Sequence, residues 1–174
     1  SGPVQRIAIC GLGYVGSVSA ACLARDGHQV MGVDVASGKD DQLARGDSPV
    51  IEPGLAELLA DGVRAGRLQA TTDVAAAVSA SDVAIVCVGT PSRESGAIDL
   101  QFVERVSQQI GSALRNRTSP FTLLLRSTVV PGTTEGVVRP AVIERCGPGV
   151  DVRFGFHPEF LREATAIADY DAPA

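Results

Sequence analysis

The chain has 174 residues, which is enough for one domain with a substantial core. Its net charge of −5 and pI near 5.0 argue against a nucleic-acid partner, because such proteins need clustered Lys and Arg to displace counterions. Hydrophobic residues make up 45% and aromatic residues 4%, which favours an aliphatic core around a buried parallel sheet. We expect no membrane partner and no signal peptide, because the sequence shows no apolar run of spanning length.

The four cysteines show neither the paired spacing of a disulfide framework nor the His companions of a zinc site. We therefore expect free thiols, no metal and a reducing, cytoplasmic location. Cys10 and Cys87 lie in apolar strand-like runs and are interpreted as buried hydrophobic residues. Cys146, beside Gly147, is interpreted as a surface or helix-end thiol.

The first motif is residues 7–16, IAICGLGYVG, which indicates a strand, a tight turn and a helix. Each glycine has its own mechanical reason: Gly11 makes the turn, Gly13 lets backbone approach a pyrophosphate, and Gly16 allows close packing of helix on strand. The first-turn amides of the following helix have no partners within it and so face outward. We expect an anion to bind there.

A second apolar run, residues 28–34, ends in Asp34, which lies 18 residues beyond Gly16. The spacing is close to the roughly 20 residues expected for the carboxylate that binds a ribose. The same carboxylate would repel the 2′-phosphate of NADP at short range. The two runs together predict a dinucleotide-binding domain that takes NAD as cofactor.

Further elements follow in alternation along the chain. Strands are predicted at 6–10, 29–33, 68–71, 82–88, 122–125 and 152–156. Helices are predicted at 14–25 with Gly27 as C-cap, 37–45, from 55, from Thr72 or Asp73 to 79, and after Asp99, with a fifth crossover at 131–146.

The alternation predicts an α/β fold, a doubly wound parallel (Rossmann) sheet with helices on both faces and right-handed crossovers. In the usual strand order the first and fourth strands are neighbours, and ligands bind beyond their carboxyl ends. Gly13, Thr90 and Thr128 all follow strands on that side. We expect three polar loops to converge on one crevice.

Several longer motifs give a family resemblance from Arg6 onward: the chain resembles the NAD-binding, N-terminal part of the UDP-glucose/GDP-mannose dehydrogenase family. Within the family it is most similar to members that oxidise GDP-mannose, because Arg126 precedes Ser127-Thr128 and DYD follows at 169–171. The motifs are GLGYVG (11–16), GVD (32–34), SPVIEPGL (48–55), VGTP (88–91), RSTVVPGT (126–133) and HPEFLRE (157–163).

The resemblance implies an enzyme that oxidises the C6 alcohol of a nucleotide sugar to a carboxylate, using NAD twice through a cysteine thioester. Glu159 and Thr128 would then act in catalysis, Glu159 as a general acid or base. From spacing alone, Glu159 could equally be a solvated acid before a helix. The implied cofactor-binding residues are Gly11, Gly13, Tyr14, Val15, Gly16, Asp34, Lys39, Thr90, Thr128 and Glu163.

The chain departs from the family at His157, where Asn is usual. A His there introduces a group that titrates near neutrality, or it is simply a packed side chain. Residues 1–174 are interpreted as one NAD-binding domain, with residues 1–3 as a cloning remnant and 157–174 as the start of a connection to a further part. None of the cysteines matches the family nucleophile, so we expect this chain alone to be inactive.

The parent enzyme is expected to be a homodimer acting on a nucleotide-sugar substrate. Two other functions stay open: the same chemistry on UDP-glucose, and a non-catalytic NAD-binding module. A different Rossmann dehydrogenase is disfavoured, because it has no reason to carry SPVIEPGL and HPEFLRE.

Overall fold

The structure is a computed structural model, and it describes residues 3–34, 45, 46, 48, 52–87, 100–127 and 134–158. The strands in these ranges are β1 (Arg6–Cys10), β2 (Gln29–Val33), β3 (Leu68–Thr71), β4 (Val83–Cys87), β5 (Phe121–Ser127) and β6 (Val152–Pro158). The helices are α1 (Tyr14–Arg25), α2 (Leu55–Arg64), α3 (Val74–Ser79), α4 (Leu100–Ala113) and α5 (Arg139–Cys146). A π-helical turn, Thr134–Val138, leads directly into α5.

The strands form one parallel sheet in the order β3-β2-β1-β4-β5-β6. The chain first winds outward from β1 to β3 and then returns to place β4 on the other side of β1. The order reverses between β1 and β4, which confirms the predicted doubly wound fold. A crevice at the carboxyl ends of these two strands is the usual ligand site of such sheets.

Alternating side chains of each central strand supply two separate apolar layers. In β1, Ile7 and Ile9 pack with α1 and α2 on one face, whereas Ala8 and Cys10 pack with α3, α4 and α5 on the other. Both layers are mainly aliphatic, as the composition predicted, although the buried Phe121 lies in the second. The sheet is therefore covered on both faces.

Helix α1 is buried more completely than its apolar pattern predicts. The apolar residues Val15, Val18 and Cys22 are buried, but Ser17, Ser19 and the small residues between them are buried too. Small side chains bring the helix close to the sheet and to α2. The helix that follows the glycine turn is thus packed against the sheet on one side and against α2 on another.

Helix boundaries follow local capping chemistry. Gly27, at the end of α1, has a φ of +100°, a left-handed conformation that favours glycine. At the start of α3, Asp73 Oδ1 accepts a hydrogen bond from the Ala76 amide at 3.2 Å, so Asp73 rather than Thr72 is the cap.

Strands β5 and β6 extend beyond their predicted ends. They pair with each other from Phe121 opposite Val152 to Ser127 opposite Pro158, so long-range pairing continues where local pattern had ended. Strand β4 begins at Val83, one residue later than predicted, and the Asp82 side chain just before it binds Arg6, the first residue of β1. The predicted helix at 37–45, except for Arg45, and the Asp99 cap lie outside the described residues.

Candidate functional site

The turn after β1 is hydrogen-bonded to the end of β2 and lies against the end of β4. The Gly11 amide donates to the carbonyl of Val33, at the end of β2, over 2.9 Å. Gly11 has a φ of +101°, and a Cβ there would overlap the carbonyl oxygen of Cys87, at the end of β4. Both the backbone angle and the space therefore require glycine, which confirms the role predicted for this residue in the turn.

The other two glycines meet very different surroundings. A Cβ on Gly16 would overlap the carbonyl oxygen of Gly11 and lie 3.5 Å from the Cβ of Cys87. A Cβ on Gly13 would have nothing within 4 Å among the residues that the structure describes. Gly16 is required by packing inside the protein, whereas Gly13 borders open space. That open space is the cradle that a bound pyrophosphate would need.

Helix α1 points its amino terminus at this open space. Gly13, its N-cap, is extended, with φ −73° and ψ −159°, and its carbonyl accepts the Ser17 amide at 2.9 Å. Ser17 Oγ donates to the Leu12 carbonyl at 3.0 Å, so this hydroxyl holds the turn. No acidic residue lies in the first turn to offset the positive end of the helix. The arrangement suits an anion.

Asp34 lies beside the glycine turn. It directly follows Val33, whose carbonyl accepts the Gly11 amide, and Cys10 and Val33 are register partners. The side chain is half-buried. The structure therefore brings together Asp34 and the glycine motif, including Tyr14 and Val15 at the start of α1.

Five predicted site residues lie outside the described residues: Lys39, Thr90, Thr128, Glu159 and Glu163. The strands that precede three of them are described, and β4, β5 and β6 all run parallel to β1. Thr128 and Glu159 follow directly after Ser127 and Pro158, the last residues of β5 and β6. His157, the departure from the family, lies in β6 with its backbone opposite Arg126.

Two polar contacts near the site, one part-buried and one buried, were missed by sequence reasoning. Tyr14 Oη donates to Glu52 Oε2 over 2.7 Å, and Arg126 Nη1 donates to Ser19 Oγ over 2.9 Å. Glu52 lies in SPVIEPGL and Arg126 in RSTVVPGT, so both motifs carry a polar residue that the core then buries. No spacing rule links these partners, which lie far apart in the sequence.

All four cysteines are buried, and none of them forms a disulfide among the described residues. Cys10 and Cys87 are core residues, as predicted. Burial raises the pKa of the Cys10 thiol to about 12. Cys146 does end α5, but it is only 3% exposed, so its interpretation as a surface thiol was wrong; its Sγ lies against the Ile143 and Gly147 carbonyls. Burial also raises the pKa of the Cys146 thiol.

The described part of the chain holds no cluster of three His, Cys, Asp or Glu side chains that could bind a metal. Among the described helices, none has the length and apolar character needed to cross a membrane.

Comparison with known proteins identifies the family to which this chain belongs. Residues 5–174 match the UDP-glucose/GDP-mannose dehydrogenase family, NAD binding domain. The chain belongs to this family and is an NAD-binding Rossmann domain.

Individual relatives agree with this assignment. The chain is 52% identical to GDP-mannose 6-dehydrogenase of Azotobacter vinelandii and 43% identical to UDP-glucose 6-dehydrogenase of Rhizobium meliloti, with 97% of the chain covered in each case. A crystal structure of a ternary complex of GDP-mannose dehydrogenase from Pseudomonas aeruginosa superposes with a TM-score of 0.91 at 51% identity, over 97% of this chain. The chain spans 38–39% of the length of these three proteins.

Proposed function

We propose that the chain forms the cofactor-binding part of an enzyme that oxidises the C6 alcohol of GDP-mannose to the uronate with NAD. The open space beside Gly13, in front of the amino terminus of α1, carries this proposal. It has the position at the β1/β4 switch point and the polarity that a pyrophosphate needs. The 52% identity to a GDP-mannose 6-dehydrogenase supports this substrate over UDP-glucose.

NAD, when bound, supplies the acceptor for the hydride that leaves C6. The first-turn amides of α1 bind the pyrophosphate, with Gly13 allowing its approach and Tyr14, Val15 and Gly16 supplying the backbone. Asp34 accepts hydrogen bonds from the adenosine ribose. By resemblance, we propose that Lys39, Thr90, Thr128 and Glu163 also contribute to cofactor binding.

Catalysis needs groups that act on the sugar. We assign Glu159 as the general acid or base on the thioester or on water, and Thr128 as a residue at the reacting end of the cofactor. Both assignments are supported by resemblance and by their position directly after β6 and β5. A carboxylate in a cleft that excludes water suits such proton transfer.

The thioester requires an accessible thiolate, and none of this chain's cysteines offers one. All four are buried, and burial raises the pKa of Cys10 and of Cys146, so neither forms a thiolate readily near neutral pH. We therefore assign the nucleophile to a part of the enzyme outside residues 1–174, with 157–174 beginning the connection to it. The chain alone should bind NAD without oxidising the sugar.

We extend the proposal to the location, oligomeric state and partners of the whole enzyme. We propose a cytoplasmic homodimer without nucleic-acid or membrane partners; the absence of disulfides among the described residues supports the location, and the net charge of −5 argues against nucleic acid. Its product, a nucleotide uronate, is an activated sugar suited to polysaccharide biosynthesis.

The test is NADH formation with GDP-mannose and with UDP-glucose, measured for the complete enzyme and for residues 1–174. We expect sustained NADH formation from GDP-mannose by the complete enzyme only. Faster turnover of UDP-glucose would transfer the assignment to that substrate. If neither sugar is oxidised although NAD binds, the chain serves a non-catalytic NAD-binding protein.

A further inference from the structure

Tyr14, the first residue of α1, is bound through its hydroxyl to an acid far away in the sequence. Its Oη donates a 2.7 Å hydrogen bond to Oε2 of Glu52, which lies 38 residues later. Glu52 is only 8% exposed, and hydrogen bonds to a carboxylate are stronger than those between neutral groups. The contact is therefore short and shielded from most competing water.

Glu52 is itself firmly held at the start of α2. Its carbonyl accepts the Leu55 amide at 3.1 Å, and Leu55, the first residue of α2, is fully buried. Gly54 between them is the N-cap of α2 and has a φ of +80°, a left-handed conformation that favours glycine. Leu55 and Leu59 pack in the same apolar layer as α1. Glu52 is thus joined through its backbone to a helix that packs in the core.

The hydrogen bond acts at the point where the pyrophosphate is proposed to bind. Tyr14 is directly next to Gly13, whose Cβ position is open, and its own amide belongs to the first turn of α1. The glycine N-cap offers no side chain to fix this turn. Ser17 Oγ holds the turn by donating to the Leu12 carbonyl, and the Tyr14 hydroxyl joins the turn to Glu52, just before α2.

We propose that Glu52 is a positioning residue for the cofactor: through Tyr14 it holds the first turn of α1 in the orientation that binds the pyrophosphate. The inference rests on the proposed function, because it assumes that the pyrophosphate lies at this turn. Glu52 does not touch the cofactor. Its effect is on the geometry of the amides, and sub-ångström errors in such donors weaken binding.

The test compares two ligands on four variants of the full 174-residue chain. Calorimetry gives the NAD affinity, and NMR titration gives the affinity for adenosine, which lacks the pyrophosphate. Tyr14→Phe and Glu52→Ala should each weaken NAD binding about fivefold, the value of one ordinary hydrogen bond. Glu52→Gln keeps an acceptor oxygen and should recover most of this loss. Adenosine binding should change less than about twofold in every variant.

The matched control is Glu135→Gln, which removes an exposed carboxylate of the Glu135–Arg139 ion pair and should leave both affinities unchanged. Thermal unfolding of each variant verifies that it is folded at the assay temperature. If Glu52→Ala does not fold, Tyr14→Phe, which loses only the hydroxyl, carries the test. NAD affinities of the folded variants within about twofold of the wild type, or equal losses for NAD and adenosine, overturn the positioning role. Failure of the wild type to bind NAD overturns the proposed function instead.

Discussion

Arg126, near the end of β5, donates a hydrogen bond from Nη1 to Oγ of Ser19 in α1, over 2.9 Å. Both residues are buried, and they lie 107 positions apart. The bond joins the helix of the glycine motif to the strand that leads into Thr128. Burial makes such a bond costly to remove, because a guanidinium deprived of an acceptor keeps its desolvation penalty.

Ser19→Ala should therefore destabilise the fold by about 1–3 kcal/mol, as expected for a buried charged donor that loses an acceptor. Urea unfolding of the chain measures this change. Ser112→Ala, at an exposed position of α4, is the matched control and should be nearly neutral. A loss for Ser19→Ala no larger than that for Ser112→Ala would show that the bond contributes nothing.

Substitution of Ser107 by alanine should have the opposite effect on stability to that of Ser19→Ala. Its Oγ is buried in α4 and, within the part of the chain that the structure describes, has no hydrogen-bond partner. Ser107→Ala removes the desolvated hydroxyl and improves helix propensity, so we expect stabilisation of about 0.5–1 kcal/mol. A destabilised variant would indicate that the Ser107 hydroxyl forms a hydrogen bond in the folded protein.

Substitutions at Gly13 and Gly16 should affect NAD binding and folding stability differently. Gly13→Val places a branched side chain where the pyrophosphate is proposed to lie, and its Cβ has no atom of the described residues within 4 Å, so NAD binding should be lost while the unfolding temperature changes little. Gly16→Ala forces a Cβ against the Gly11 carbonyl and should lower stability by several kcal/mol. Calorimetry and thermal unfolding of both variants provide the comparison. A Gly13→Val variant that binds NAD within a fewfold of wild type would place the dinucleotide elsewhere.

The sequence was sufficient for the fold because local signals and tertiary pairing agree there. The bounds of β1, α1, β2 and β3 were predicted to the residue, and the β1/β4 neighbourhood followed from the doubly wound pattern. The ends of β5 and β6 were not predicted correctly, because they depend on pairing between segments that are distant in the sequence.

The candidate site was predictable only where backbone geometry demands a residue type. Gly11 is required by its left-handed φ, and Gly16 is required by its close contact with the Gly11 carbonyl. Both residues can therefore be recognised from a sequence motif. The partners of Tyr14 and Arg126 depend on how α1 lies against α2 and β5, which no local pattern contains. The interpretation of Cys146 as a surface thiol failed for the same reason, because the packing of α4 on α5 decides its burial.

Asp34 should decide between the two nicotinamide cofactors. The wild type is expected to bind NAD in preference to NADP, because the carboxylate accepts the ribose hydroxyls and repels a 2′-phosphate. Asp34→Ala should weaken NAD binding and reduce the discrimination to near unity. Calorimetric titration of both cofactors on both proteins measures this. Equal affinities in the wild type would contradict the role of Asp34.

Acid should weaken the fold partly through Asp82. Arg6 donates to both carboxylate oxygens, at 3.0 and 2.8 Å, and this hydrogen bonding, with the charges of Arg6 and Arg117, holds the pKa of Asp82 below its ordinary value despite some desolvation. A lowered pKa stabilises the folded state above the ordinary value of about 4, and this contribution is lost as the pH falls through the folded-state pKa.

The free energy of unfolding of Asp82→Asn should therefore lie below that of the wild type by a constant amount at neutral pH, and the two should converge below about pH 4. The difference is expected to be modest and to shrink with salt, because both side chains are substantially exposed. Urea unfolding across the acid range checks this. A difference that grows on acidification has the wrong sign and would refute it.

The most direct measurement is an NMR titration of the isotope-labelled chain with NAD, since the pyrophosphate is assigned to the first turn of α1. The amides of residues 11–16 and of Asp34 should show the largest shift changes among the described residues, and Gly13→Val should abolish them. Large changes at the opposite edge of the sheet, around Arg117 and Ser119, with residues 11–16 unaffected, would contradict the assignment.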